Sequence, residues 1–331
     1  MTILTIGAAG LRYAALAGPR AGVGGGGALL TVRPREGYRP RIDASTQTRV
    51  CVQQLEPRVA DAAHNRALSL AAIEEAAAGG AQVVVLPELV SSGYMFSCAE
   101  EAAALAITPG DALIAEWSDA AARHGLVLAA GFCERGEDGQ TYNSAVLIDP
   151  SGVRAVYRKL HLWDREKLWF TPGDALPPVL DTPVGRVSLV ICYDLEFPEL
   201  TRTVALGGAD LLLVPTNWPL MQRPGDERPG EVTNAMATAR LNHMAIACAD
   251  RGGVERGQPW TGGSTIVDAD GWAVGETRWR AGEPRRPGPI YADLELTRSR
   301  DKRFTELADA LADRRPELYG AVVRADDLAI S

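Results

Sequence analysis

The sequence predicts an α/β chain in which helices cover the faces of a mixed β-sheet. Three observations carry that expectation. Strand-like and helix-like stretches alternate from Thr48 onward, several strands are Val- and Leu-rich without polar alternation, and two pairs of strands are joined by tight turns. Apolar runs without alternation suit strands buried on both faces, whereas hairpins demand antiparallel neighbours.

RVCVQQ opens the regular structure as a strand. The helix after it places Ala63, Ala67, Leu70, Ile73 and Ala77 on one face at spacings of three and four, and Gly79-Gly80 stop it. AQVVVLPEL is the first doubly buried strand. A helix over Ala112 to His124 leads to a second, GLVLAAGF. TYNSAVLID and VRAVYRK form a hairpin through Pro150-Ser151-Gly152. VSLVI is a strand, and Pro198 opens the next helix, where its missing N–H costs nothing. ADLLLVP, a helix over Glu231 to His243 and the strand MAIACAD follow. STIVDADGWAVGE is a hairpin turning at Asp270-Gly271, and IYADLEL is the last core strand. The charged tail from Arg298 to Ser331 carries a helix near Phe304 to Asp313. No repeat of fixed period and no linker interrupt the chain after residue 47, so residues 48–331 read as one domain with a C-terminal tail.

Residues 1–47 differ in composition. GVGGGGALL is followed by the Arg- and Pro-bearing TVRPREGYRPR, and Arg12 and Arg20 interrupt what would be the apolar core of a secretion signal. The expectation is a flexible leader or an over-extended start.

Apolar residues make up 46% of the chain and charged residues 23%, ordinary values for a globular protein. The formal net charge of -8 argues against a nucleic-acid partner, because phosphate binding requires a basic face. No run of about 18 uncharged apolar residues calls for a membrane span. The five cysteines are odd in number and lack CxxC spacing, which argues against a disulfide framework or zinc ribbon. Free thiols fit a reducing, cytoplasmic compartment.

Four segments place reactive side chains where buried strands end, the position at which open α/β sheets build their sites. In VVVLPELVSSGY, Glu88 follows an apolar run, and a carboxylate held there without a partner has a raised pKa, useful in a general base. Taken alone it reads as a strand-end residue that meets solvent. In VYRKLHLWDREKLWF, Lys159 precedes Trp163, Trp169 and Phe170. It could pair with a carboxylate or hold charge developing on a substrate oxygen. Glu166 is a candidate second carboxylate, though alone it reads as a solvated loop charge. In RVSLVICYDLEFPELTR, Cys192 closes a strand before a tight turn into the Pro198 helix. That geometry lifts a side chain above the sheet edge, and N–H groups of the turn, Tyr193 among them, could serve an oxyanion. The bland alternative is a buried structural cysteine, the role assigned to Cys51, Cys133 and Cys248. In LLLVPTNWP, Asn217 and Trp218 fall just past a strand and could line a pocket or merely cap a loop.

Taken together, these segments resemble the nitrilase superfamily, or carbon–nitrogen hydrolases, from about Thr48 to Glu317. Glu88 in LPEL, Lys159 in YRKLHLWDREK and Cys192 in CYDLEFPE match its Glu, Lys and Cys in order, and Glu166 sits where a second Glu completes a tetrad. The resemblance implies a four-layer α-β-β-α sandwich with mixed sheets that assembles as a homodimer or higher homo-oligomer. It implies a small-molecule amide as substrate, no metal or organic cofactor, and a thioester intermediate on Cys192. Tyr193, Asn217, Trp218 and Tyr94 are the expected oxyanion and substrate-binding residues. Cys192 is followed by Tyr193-Asp194, whereas true nitrilases usually carry Trp-Glu, which favours an amide over a nitrile. N-carbamoyl amines, nitriles and a catalytically retired scaffold are the competing readings. One departure is Leu241, where the family more often has an acidic residue. The expected effect is on helix packing or the dimer contact. A Cys–His pairing of Cys192 with His161 is the lesser alternative.

Overall fold

The computed structural model describes residues 47–225, 227–277 and 286–323. All but the last residue of the expected leader lie outside them, as does the end of the tail.

The first half of the chain contains β1 (Thr48–Gln54), α1 (Ala62–Ala78), β2 (Val83–Val85), α2 (Ala99–Leu105), α3 (Ala112–His124), β3 (Val127–Arg135), β4 (Thr141–Asp149), β5 (Gly152–Arg158) and the single turn α4 (Glu166–Trp169). The second half runs through β6 (Leu180–Thr182), β7 (Gly185–Leu189), α5 (Pro198–Leu206), β8 (Leu211–Pro215), α6 (Gly230–Asn242), β9 (Ala245–Ala249), β10 (Val254–Glu255), β11 (Gln258–Pro259), β12 (Thr265–Val267), β13 (Ala273–Glu276) and β14 (Gly288–Leu294). A small hairpin, β15 (Arg303–Thr305) and β16 (Ala308–Asp309), follows.

Two six-stranded sheets result, in the orders β14-β1-β2-β3-β4-β5 and β13-β12-β9-β8-β7-β6. Both are mixed. β1, β2 and β3 are parallel to one another, as are β7, β8 and β9, and the flanking strands are antiparallel. The period-two geometry of strands explains the apolar runs. Val50 and Val52 of β1, Val83 and Val85 of β2, and Val127 and Ala129 of β3 enter the core shared with the second sheet. Cys51, Val84 and Leu128, one residue out of step, pack outward against Ile73 of α1 and Trp117 of α3. On the far side, Leu200 and Val204 of α5 and Ala235 and Ala239 of α6 cover the second sheet. The order of layers is helix, sheet, sheet, helix, the four-layer α-β-β-α sandwich with mixed sheets that the resemblance implied.

The helices end where their chemistry dictates. Asp61 and Asp111 cap α1 and α3 by accepting the N–H groups of His64 and Leu113 at 3.1 and 2.9 Å. Gly125 closes α3 in the left-handed region at φ 70°. Pro198 occupies the first turn of α5.

The tail corrects one expectation. Residues 304–313 are not helical: the hairpin β15–β16 and a turn occupy them. Phe304 is drawn edge-on to His243 at 4.5 Å and lies beneath the Arg240 guanidinium. Asp309 folds back to accept the N–H groups of Leu311 and Ala312. An isolated helix of this length needs an apolar face to bury, and residues 303–307 are all exposed. Leu241, the departure noted in α6, is 57% exposed. Arg202 donates to its backbone carbonyl at 3.0 Å and to that of Ala310 at 3.2 Å, so carbonyls serve where an acidic partner is missing.

Candidate active site

Glu88 stands just past β2, in a turn whose next residue, Leu89, adopts φ 50°. The neighbouring strand makes room for it. A Cβ at Gly131 of β3 would lie 2.5 Å from the Leu89 nitrogen and 2.6 Å from the Glu88 Cα, so only glycine allows this approach. The Glu88 side chain is wholly buried. Its Oε1 accepts Lys159 Nζ and Asn143 Nδ2, each at 2.7 Å, while Oε2 has no hydrogen-bond partner among the described residues.

Lys159 is the first residue beyond β5, and its N–H is tied to the Asn143 carbonyl of β4 at 2.9 Å. Its ammonium bridges Glu88 and Glu166, the latter at 2.8 Å. Glu166 is 2% exposed and opens α4. Besides Lys159 it accepts the Tyr94 hydroxyl at 2.5 Å and the Trp163 N–H at 3.0 Å. A buried ammonium flanked by two carboxylates keeps its charge. Burial alone would lower the Lys159 pKa, but Glu166 and Glu88 outweigh it and raise the value. Burial pushes the Glu88 carboxyl up to about 7, against the opposing pull of Lys159.

Cys192 begins a tight helical turn, Cys192–Glu196, which Ile191 precedes two residues beyond the end of β7. Its φ of 48° is unusual for a residue with a Cβ and marks a strained turn that projects the side chain from the sheet edge. Asp194 holds this turn. Its carboxylate accepts Ile191 N–H at 3.1 Å, the Tyr157 hydroxyl at 2.8 Å and the His161 N–H at 3.0 Å, and pairs with His161 Nδ1 at 2.8 Å. His161 also stacks on Phe197 with centroids 3.6 Å apart, so the structure places this histidine with Asp194, under the turn. The Cys192 thiol is held well above its ordinary pKa by burial and by the Glu88 charge, with Lys159 opposing. It faces the Asn217 carbonyl at 3.9 Å.

Beyond β8, Asn217 donates from Nδ2 to the Glu88 carbonyl at 2.8 Å, pinning the two sheet ends together. The Trp218 N–H is fixed by Asp250 at 2.8 Å, and Gly263 leaves the space its ring occupies. A cavity of about 470 Å³ opens over this floor, with Trp163, Cys192, Tyr193, Asn217 and Trp218 among its lining residues. A second cavity of about 230 Å³, lined by Tyr94, Trp163, Glu166, Trp169 and Trp260, adjoins it across Trp163 and Pro219. The structure therefore brings Glu88, Lys159, Glu166 and Cys192 into one electrostatically coupled group. Tyr94, Tyr193, Asn217 and Trp218 surround it.

The carbon–nitrogen hydrolase family model matches residues 49–304. The chain belongs to that family. It is 36% identical over 273 residues to a protein named nitrilase from Pyrococcus abyssi, covering 82% of this chain and 98% of that protein. It is 33% identical over 270 residues to an (R)-stereoselective amidase from a Pseudomonas species, covering 81% and 91% of the two. Among solved structures, a mutant amidase from Nesterenkonia sp. AN1 superposes with a TM-score of 0.67 and 32% identity, covering 83% of this chain and all of that one. That structure shows Michael addition of acrylamide at the amidase's active-site cysteine. The nitrilase-superfamily resemblance seen in the sequence thus holds, and the chain is a hydrolase of carbon–nitrogen bonds other than peptide bonds.

Sequence reasoning missed several supporting residues of this carbon–nitrogen hydrolase. Asn143 lies mid-strand, Asp194 follows the cysteine, and Asp250 and Glu255 are buried in the second half. Glu255 accepts the Val59, Tyr94 and Met95 N–H groups at 2.8 to 3.0 Å and pairs with the buried Arg251 at 2.7 Å, which sets the loop that carries Tyr94. A polar residue inside an apolar strand or at its end, such as Asn143 or Asp250, is the one sequence signal that could have found them. Among the described residues no cluster of His, Cys, Asp and Glu could hold a metal ion, and no helix is long and apolar enough to cross a membrane.

Proposed function

We propose that the protein hydrolyses a small linear amide to a carboxylic acid and ammonia through a thioester on Cys192. The observation that carries this reading is the Lys159 ammonium held between Glu88 and Glu166 beside the thiol on the floor of a cavity. A thiol with a raised pKa rests protonated, so it needs a base at the moment of attack. Glu88 supplies one. Its buried Oε2 has no hydrogen-bond partner among the described residues, and its raised pKa makes it a stronger base than an exposed carboxylate.

Glu88 takes the thiol proton as sulfur attacks the amide carbon. The tetrahedral oxyanion lies between the Lys159 ammonium and the Tyr193 N–H, which falls in the first turn of the helical segment, where amides lack an intrahelical acceptor. Glu88 returns the proton to the departing nitrogen and ammonia leaves. Water, deprotonated by the same carboxylate, then cleaves the thioester and restores the thiol. Glu166 holds the Lys159 ammonium in place, and Tyr94 holds Glu166.

Amidase names among the relatives and solved neighbours support the amide over the nitrile, as does Tyr193-Asp194 after the cysteine. The name nitrilase on the Pyrococcus relative keeps nitriles in the test. The wild-type chain, Cys192→Ala and Glu88→Gln are assayed for ammonia release from primary amides, N-carbamoyl amines and nitriles, and the protein is trapped with substrate for intact mass. Release from primary amides that both variants abolish, together with a mass gain equal to the acyl group, is expected. Full activity in either variant ends the proposal.

A further inference from the structure

The cavity above Cys192 has a charge character that the chemistry of amide hydrolysis does not explain. Two carboxylates line it: Glu196, at the end of the Cys192 turn, and Glu231, in the first turn of α6. No arginine or lysine is among its lining residues. Among the described residues neither carboxylate takes part in an ion pair, and Glu196 is raised by burial and by the charge of Glu231, with only Asn234 to relieve it. An acidic residue in the first turn of a helix is favoured by the helix dipole, which accounts for Glu231. Glu196 is exposed and Glu231 half-buried, so both carboxylates are accessible to a ligand that enters the cavity.

A second observation points the same way. Asn217 lines the same cavity, is 1% exposed, and its Oδ1 has no partner among the described residues. That unpaired oxygen adds an acceptor to the two carboxylates. The remaining walls are the rings of Trp163, Tyr193 and Trp218, whose negative faces also favour a cation.

Building on the hydrolysis proposed above, we infer that the substrate is an amide whose acyl chain carries a positively charged amino or amidino group, received by Glu196 and Glu231. The ammonium sits between the two carboxylates at the cavity wall while the carbonyl carbon lies over Cys192. The connecting methylenes run along the aromatic walls.

Three amides of matched length test this: 5-aminopentanamide, its neutral isostere hexanamide, and the anionic 4-carbamoylbutanoate. The readout is the ratio of kcat/KM between substrates in one protein preparation, which cancels any loss of folded enzyme. The wild-type chain should prefer 5-aminopentanamide to hexanamide by about tenfold and handle the anion worst. In Glu196→Gln with Glu231→Gln the cation-to-neutral ratio should fall to about one. A wild-type ratio of one or less, or a preference that survives both substitutions, overturns the inference. Equilibrium binding of the same three compounds to Cys192→Ala separates recognition from turnover. If no amide is hydrolysed, the catalytic proposal fails, and tighter binding of the cation still supports this inference while equal or weaker binding overturns it.

Discussion

The two sheets of the molecule pair their strands in the same succession. Read as β14-β1-β2-β3-β4-β5 and as β6-β7-β8-β9-β12-β13, both sheets run antiparallel, parallel, parallel, antiparallel, antiparallel. What differs is the chemistry at equivalent strand ends. β2 ends toward Glu88 and its counterpart β8 toward Asn217. β1 ends toward Leu55 and its counterpart β7 toward Cys192. The first half supplies the carboxylates and lysine, the second supplies the thiol, and the Asn217–Glu88 hydrogen bond ties the two ends together. One scaffold used twice thus yields a site that neither half contains, because only the packing of the two sheets brings their strand ends within hydrogen-bond reach.

The largest test of this contrast compares Cys192, in the turn after β7, with Cys51, within the matched strand β1. Cys192→Ala should lower amide hydrolysis by about 10⁴-fold or more, as loss of a covalent nucleophile does. Cys51→Ala, in β1, should leave kcat within about twofold because that thiol packs outward beneath α1. Equal losses would show that the Cys192 thiol has no special role.

The next test compares the matched ends of β2 and β8. Glu88→Gln should cost about 10²- to 10⁴-fold in kcat/KM, the range for a general acid–base. Asn217→Ala should cost about tenfold, since it loosens the turn without removing the base. Steady-state kinetics on one primary amide decides, and a reversal of that order would make the asparagine the reacting group.

A third prediction concerns pH. Glu88 must be ionised to take the thiol proton, and burial places its pKa at about 7. For an amide that does not itself ionise, kcat/KM should rise tenfold per unit below that value and level off above it. Asn143 donates to the ionised carboxylate and so favours it. Asn143→Ala should shift the limb to higher pH, and an unmoved or lowered limb would place the titrating group elsewhere.

The smallest effect is structural. Asp194→Ala would leave the Tyr157 hydroxyl and the Ile191 and His161 N–H groups without their acceptor. The expected loss is about 2–3 kcal/mol of stability by urea unfolding. The equivalent end of β1 has no such turn to support, and a negligible loss would show that the Cys192 conformation is held by other contacts.

Much of this was legible before any coordinates. Apolar runs such as VVVL announce doubly buried strands because an unpaired polar group between two layers is costly, Pro198 marks a helix start through its restricted backbone, and Gly79-Gly80 mark a helix stop through their freedom. Glu88, Lys159 and Cys192 stood out because each follows a strand and is followed by turn chemistry. Glu166 alone resembled a surface charge, and its burial follows from the α4 turn folding against Tyr94, a residue 72 positions away. The helix expected over 304–313 failed for the opposite reason: local composition allowed it, but no face of it was buried.

The succession of strands and helices along the chain, the doubly buried strands and the reactive residue types were set by the sequence alone, since they depend on periodicity and backbone chemistry within a few residues. The tertiary structure decided the rest. It gave Glu88 a pKa near 7, kept Lys159 charged, and turned Glu196 and Glu231 toward the cavity of Cys192. Burial and the charges that act across it arise only when segments distant along the chain are packed together, and no local pattern encodes those distances.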